Sequence, residues 1–87
     1  MNRITQRDLE STVSIINRTT GNQEKSWGGP GQANIGNYHL DYAYGGVKLI
    51  QMTNEHGGCR DILRCGYTTK RLLYGLLCAF LEGLERK

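Results

Sequence analysis

The side chains able to break bonds or hold a metal are few: Cys59, Cys65 and Cys78, with His39 and His56. His56, Cys59 and Cys65 stand close together, but His-x2-Cys-x5-Cys is not the spacing of a zinc ribbon or finger. A further ligand would have to be borrowed. His56 and Cys59 also suggest a nucleophilic dyad, yet both fall in one turn region and no third group orients the imidazole. His39 and Asp41 share one strand face and can pair, which without a nucleophile handles a proton at most. Gly28-Gly29-Pro30-Gly31 lacks the Lys-Ser/Thr that follows in a phosphate-binding loop. The expectation is a non-enzymatic protein without metal or cofactor.

Binding chemistry has more to work with. Lys48, Arg60 and Arg64, with Lys70 and Arg71, make the one local basic excess in a chain of net charge +3. That balance is well short of a nucleic-acid-coating surface, and no recognised nucleic-acid motif accompanies it. Nucleic acid is therefore the weaker partner, and a small anion or an acidic protein surface the stronger. Trp27 stands among turn formers, where it either covers an edge of the core or stacks on a ring-shaped ligand.

Two helices and three strands must position these groups. Leu9, Val13 and Ile16 recur at helical spacing over residues 5–20, with Thr5 as N-cap, Asp8 completing a capping box, Ile4 as a staple and Gly21 as the stop. Residues 21–35 read as loop. From Asn37 the period changes to two, with Tyr38, Leu40, Tyr42 and Tyr44 alternating, and Gly45-Gly46 predicts a hairpin turn before a second strand, 47–53. A turn over 54–58 leads to a third strand, 59–65. Thr68 or Thr69 then caps a helix over 70–85, whose Leu72, Leu73, Leu76, Leu77, Phe80, Leu81 and Leu84 predict a broad apolar face. The expected fold is α+β: helix, three-stranded antiparallel meander, helix, with both helices on one face of the sheet.

Those turns fix which way each side chain points. One face would carry Tyr38, Leu40, Tyr42, Val47, Leu49, Leu63 and the buried thiols of Cys59 and Cys65. The other would present three rows: His39-Met52-Arg60, Asp41-Ile50-Ile62 and Ala43-Lys48-Arg64. Lys48 beside Arg64 is a like-charge pair that folding does not require, so an anion or acidic partner would relieve it. A solvated face with Asp41 as counter-charge is the simpler alternative. Lys48, Arg60 and Arg64, with His39, Asp41 and Trp27, are the candidate ligand-binding residues.

At 87 residues the chain has little stability to spare, which favours pairing with a second copy. Three cysteines cannot all pair, so thiols in a reducing compartment are expected. The N-terminal residues lack an apolar signal segment, and the apolar run 72–81 is too short to cross a bilayer.

The stretch Ala33-Asn34-Ile35-Gly36-Asn37-Tyr38-His39-Leu40-Asp41-Tyr42-Ala43-Tyr44-Gly45-Gly46, continuing through Asn54-Glu55-His56-Gly57-Gly58 to Thr69-Lys70-Arg71, resembles a family of short proteins of tailed bacteriophages and prophages. Leu72 stands where an acidic residue commonly follows Thr-Lys-Arg in that family. The resemblance identifies no activity. It implies a phage accessory protein in the host cytoplasm, with counter-defence as the expected role. Its action would be to sequester a small nucleotide-like anion or to dock on a host protein through the exposed sheet face.

Overall fold

The computed structural model describes residues 3–29, 32–64 and 66–86. The fold is α+β. Its elements run α1 (Gln6–Thr20), β1 (Trp27–Gly29), β2 (Gln32–Ala33), β3 (Tyr38–Ala43), β4 (Gly46–Met52), β5 (Cys59–Asp61) and α2 (Lys70–Glu85). Strands β1 and β2 form a short antiparallel ribbon inside the segment expected to be loop, while β3, β4 and β5 form an antiparallel sheet in that order.

Local chemistry sets the ends of α1. The Asp8 N–H donates to Thr5 Oγ1 at 3.2 Å, and the Thr5 N–H donates to Asp8 Oδ2 at 2.9 Å, so two of the orphan donors of the first turn are satisfied reciprocally. At the other end the Gly21 N–H donates to the Arg18 carbonyl at 3.2 Å. Helix α2 starts at Thr69, whose Oγ1 accepts from the Leu72 N–H at 3.2 Å. The core gathers Leu9, Val13 and Ile16 from α1, Tyr38, Val47 and Leu49 from the sheet, and Leu73 and Leu77 from α2. The apolar face of α2 is narrower than expected, because Leu72 is 56% exposed.

Both hairpins differ in register from the sequence reading, and the two shifts have different consequences. In the first, Leu40 pairs with Leu49 and Tyr42 with Val47, so Tyr44 and Gly45 make the turn. Both have positive φ, 53° and 74°, as the tight hairpin turn of this hand requires. The offset is two residues. An even offset leaves every side chain of β3 and β4 on its expected side of the pleat.

The second offset is one residue. Asn54 occupies the first position of a four-residue turn: its carbonyl accepts from the Gly57 N–H at 3.3 Å, and its Oδ1 accepts from the His56 and Gly58 N–H groups at 2.9 Å each. Gly57 has φ +93°, and a Cβ on Gly58 would meet the Asn54 amide at 2.2 Å, so both glycines are required there. Gly58 is thereby returned to the strand, its carbonyl accepting from the Thr53 N–H at 2.7 Å. Cys59 then pairs with Met52, Arg60 with Gln51 and Asp61 with Ile50. Arg60 and Ile62 move to the side of Leu49, and Cys59 and Asp61 to the side of Ile50.

The third strand also stops early. Asp61 accepts from the Arg64 N–H at 2.9 Å and the Gly66 N–H at 3.0 Å, folding the chain out of the ladder before Thr68 rejoins it opposite Val47. Arg64 sits in this excursion at φ 56°. The expected cross-strand row of Lys48 and Arg64 is therefore not formed. Cys65, the far end of the expected strand and a member of the His-Cys-Cys spacing, lies outside the described residues.

Tyr44 carries a testable cost. It is 94% exposed and left-handed, a conformation that costs a residue with a Cβ roughly 1–2 kcal/mol. Its visible return is an edge contact with the Tyr67 ring at 5.4 Å. Tyr44→Asn is expected to raise stability by about 0.5–1 kcal/mol, read by urea denaturation, since asparagine tolerates this turn position far better.

Candidate functional site

The sequence-predicted binding residues are gathered only in part. Lys48 stands directly opposite Asp41 and holds its ammonium 4.5 Å from the centre of the Tyr67 ring. The Tyr67 hydroxyl donates to Asp41 Oδ2. Lys48 and Asp41 are thus joined through Tyr67 into one network on the outer side of the first hairpin. Arg60 reaches Gln51 Oε1 at 3.4 Å, and Arg64 is exposed in the excursion after β5. Trp27 is 47% exposed and lies over Gly57, where an added Cβ would come within 3.0 Å of its ring. That places it by the turn at the opposite end of β4 from the Tyr44-Gly45 hairpin tip. His39 Nδ1 is 3.1 Å from Asn37 Oδ1, and burial lowers the imidazole pKa against the opposing pull of Asp41. Cys59, expected to face the core, is exposed. Arg60 and Arg64 line one concavity with Asp61 and Ile62, whose lining does not include Lys48 or Trp27.

The Tyr67–Asp41 bond has a pH signature. It pushes the Tyr67 phenol from 10.0 up to about 12, with the Asp41 hydrogen bond as the largest cause. A group raised in the folded state contributes fully below its unfolded value, and that contribution disappears as pH rises through the folded one. Stability is therefore expected to fall between pH 10 and about 12. Tyr67→Phe should abolish that share of the fall and remove one late step from the phenolate absorbance titration.

Another concave surface lies between α1 and β3. Glu10, Val13, Ser14 and Asn17 recur at helical spacing, forming one wall, while Tyr38, Leu40 and Tyr42 supply the opposite wall. Glu24, Ser26 and His39 complete a groove of about 320 Å³. The Ser14 hydroxyl donates to Glu24 Oε1, which ties the loop after α1 to the helix. Gln6 Nε2 donates to Glu10 Oε2 at 2.9 Å. The groove lining holds two carboxylates and no lysine or arginine. Beside Glu10, the Tyr42 phenol is raised above its ordinary value, by burial first and by that carboxylate second.

One end of the groove is closed by a specific device. Asn17, 1% exposed, donates through Nδ2 to the Tyr38 carbonyl at 2.9 Å and accepts through Oδ1 from the Tyr38 N–H at 2.8 Å. A side-chain amide thus does for Tyr38 what a neighbouring strand would do. Asn37, fully buried, closes the same corner: its Nδ2 donates to the Gln23 carbonyl at 2.6 Å and its Oδ1 accepts from Ser26 Oγ at 3.1 Å.

In an antiparallel ladder the outward-facing backbone groups recur at every second residue. With Tyr38 facing Asn17, the N–H and C=O groups of Leu40 and Tyr42 point the same way, off the β3 edge. They take no partner among the described residues. The sequence reading missed this groove, because no residue spacing marks an open strand edge. The fold and the groove define a small α+β chain in which the β3 edge lies beside a groove lined by two carboxylates. Comparisons with protein-family models, curated proteins and solved structures return no match.

Proposed function

We propose that this chain is a non-enzymatic phage accessory protein, of the counter-defence kind, that acts in the host cytoplasm by docking on a host protein. In this reading both helices cover one face of the β3-β4-β5 meander, and docking uses the groove where α1 diverges from the sheet edge. The observation that carries it is the open backbone of Leu40 and Tyr42 beside that groove, an arrangement suited to holding a partner chain. Sequestration of a small anion is less well supported, because Lys48 is engaged with Asp41 and Tyr67, and the concavity that Arg60 and Arg64 share also carries the Asp61 carboxyl group. No described helix is long and apolar enough to cross a membrane.

Affinity purification from the host tests this with the wild-type chain and Leu40→Lys, which places a charge on the groove wall. The wild type should retain a host protein in stoichiometric amount. Leu40→Lys should lose it while melting as a folded protein. Equal retention by a folded Leu40→Lys, or a nucleotide-dependent thermal shift with no retained protein, would overturn the groove assignment.

A further inference from the structure

Resting on that docking reading, we propose that the groove receives an extended, lysine- or arginine-bearing segment of the partner, which adds to the edge of β3 as a further strand. Three observations converge on this occupant. The first is the backbone pattern: Leu40 and Tyr42 present donor and acceptor pairs at the two-residue repeat of a strand edge. Asn17 sets where pairing must begin. Its amide already fills the place of a partner strand at Tyr38, so an incoming segment is offered Leu40 and Tyr42 and nothing earlier on β3.

The second observation is charge. Glu10 on the helix wall and Glu24 on the loop line the groove without any lysine or arginine. An entering cation meets two exposed carboxylates, whose attraction acts at short range and is weakened by salt. An acidic segment would be repelled. A second copy of this chain is disfavoured on the same ground, since joining two β3 edges about a twofold axis sets each acidic groove against the other.

The third is the apolar content. Val13 and Leu40 offer room for one aliphatic side chain on the inward side of the added strand, the same side on which Glu10 and Glu24 stand. The recognised segment therefore carries an aliphatic and a basic residue two positions apart, both on its inward side.

The test uses three fluorescein-labelled heptapeptides with the full-length chain. One sets lysine and valine in turn at every second position with threonine between, one has glutamate in place of that lysine, and the third is the lysine peptide methylated on alternate backbone nitrogens. Fluorescence anisotropy should show the lysine peptide binding at least about tenfold more tightly than either control, with affinity falling as salt rises. Hydrogen exchange at the Leu40 and Tyr42 amides should slow when it binds. A Glu10→Gln, Glu24→Gln double variant should bind about tenfold more weakly while melting like the wild type.

Equal binding of the methylated peptide would overturn strand addition, and equal binding of the glutamate peptide would overturn the charge preference. Failure of all three peptides would overturn this inference alone if Leu40→Lys still releases the host protein, because docking at the groove would then stand by another mode. If Leu40→Lys retains that protein, the docking reading falls as well.

Discussion

Replacing Asn17 with alanine is expected to cost about 3 kcal/mol, a large share of the stability of an 87-residue chain. The substitution deletes two hydrogen bonds, and the larger part of the cost comes from what it leaves behind. The Tyr38 N–H and C=O lose the partners they have among the described residues, at a site where Asn17 is 1% exposed and Tyr38 is 9% exposed. A buried backbone group without a partner costs roughly 1–3 kcal/mol. Asn17→Asp should fare no better, since it retains an acceptor for the Tyr38 N–H but cannot donate to the carbonyl and buries a charge. Urea denaturation gives the cost, and hydrogen exchange at Tyr38 should quicken in step. A loss below about 1 kcal/mol would mean that water or a shifted chain satisfies Tyr38 without the amide. The variant also bears on function, because removing the side chain lengthens the open edge of β3 by one outward-facing residue.

Asn17 also illustrates what could and could not be read from the chain. The helices were legible because their signals are local: Thr5 with Asp8, Gly21, Thr69, and apolar residues at helical spacing. The faces of β3 and β4 were legible even though the turn was misplaced, since an offset of two residues preserves pleat parity. In the second hairpin, Asn54 folds its side chain into the turn and shortens it by one residue, which carries Arg60 and Ile62 to the opposite side. Asparagine at the first turn position with glycine at the fourth is a recognisable pattern, so residues 54–57 held that information. Asn17 and Asn37 held none in their spacing. A polar residue on an apolar stripe reads as surface until the backbone it satisfies is known. The groove was missed for the same reason, because an open strand edge belongs to tertiary structure and has no residue type of its own.

The polarity of β4 can be tested on adjacent residues. Leu49 is fully buried at the centre of the core, with Leu9, Ile16, Leu73 and Leu77 also at 0% exposure in that cluster. Leu49→Ala removes buried methyl groups from a site bounded by two helices and two neighbouring strands, and it should cost about 3–4 kcal/mol. Ile50, one residue on, points to the other side and is only partly buried, its cross-strand neighbours being His39 and Asp61. Ile50→Ala should cost about 1 kcal/mol, because less apolar surface returns to water and solvent can fill the space. The contrast is more informative than either value, since both substitutions act on the same strand with the same backbone propensities. Equal costs would mean that both sides of β4 are covered, and a reversed order would mean that the pleat is inverted. In an inverted sheet Leu40, paired with Leu49, would leave the groove wall it shares with Val13. The 2–3 kcal/mol difference expected in urea denaturation therefore measures whether β3 offers its edge beside α1 with an apolar side chain beneath it, which strand addition requires.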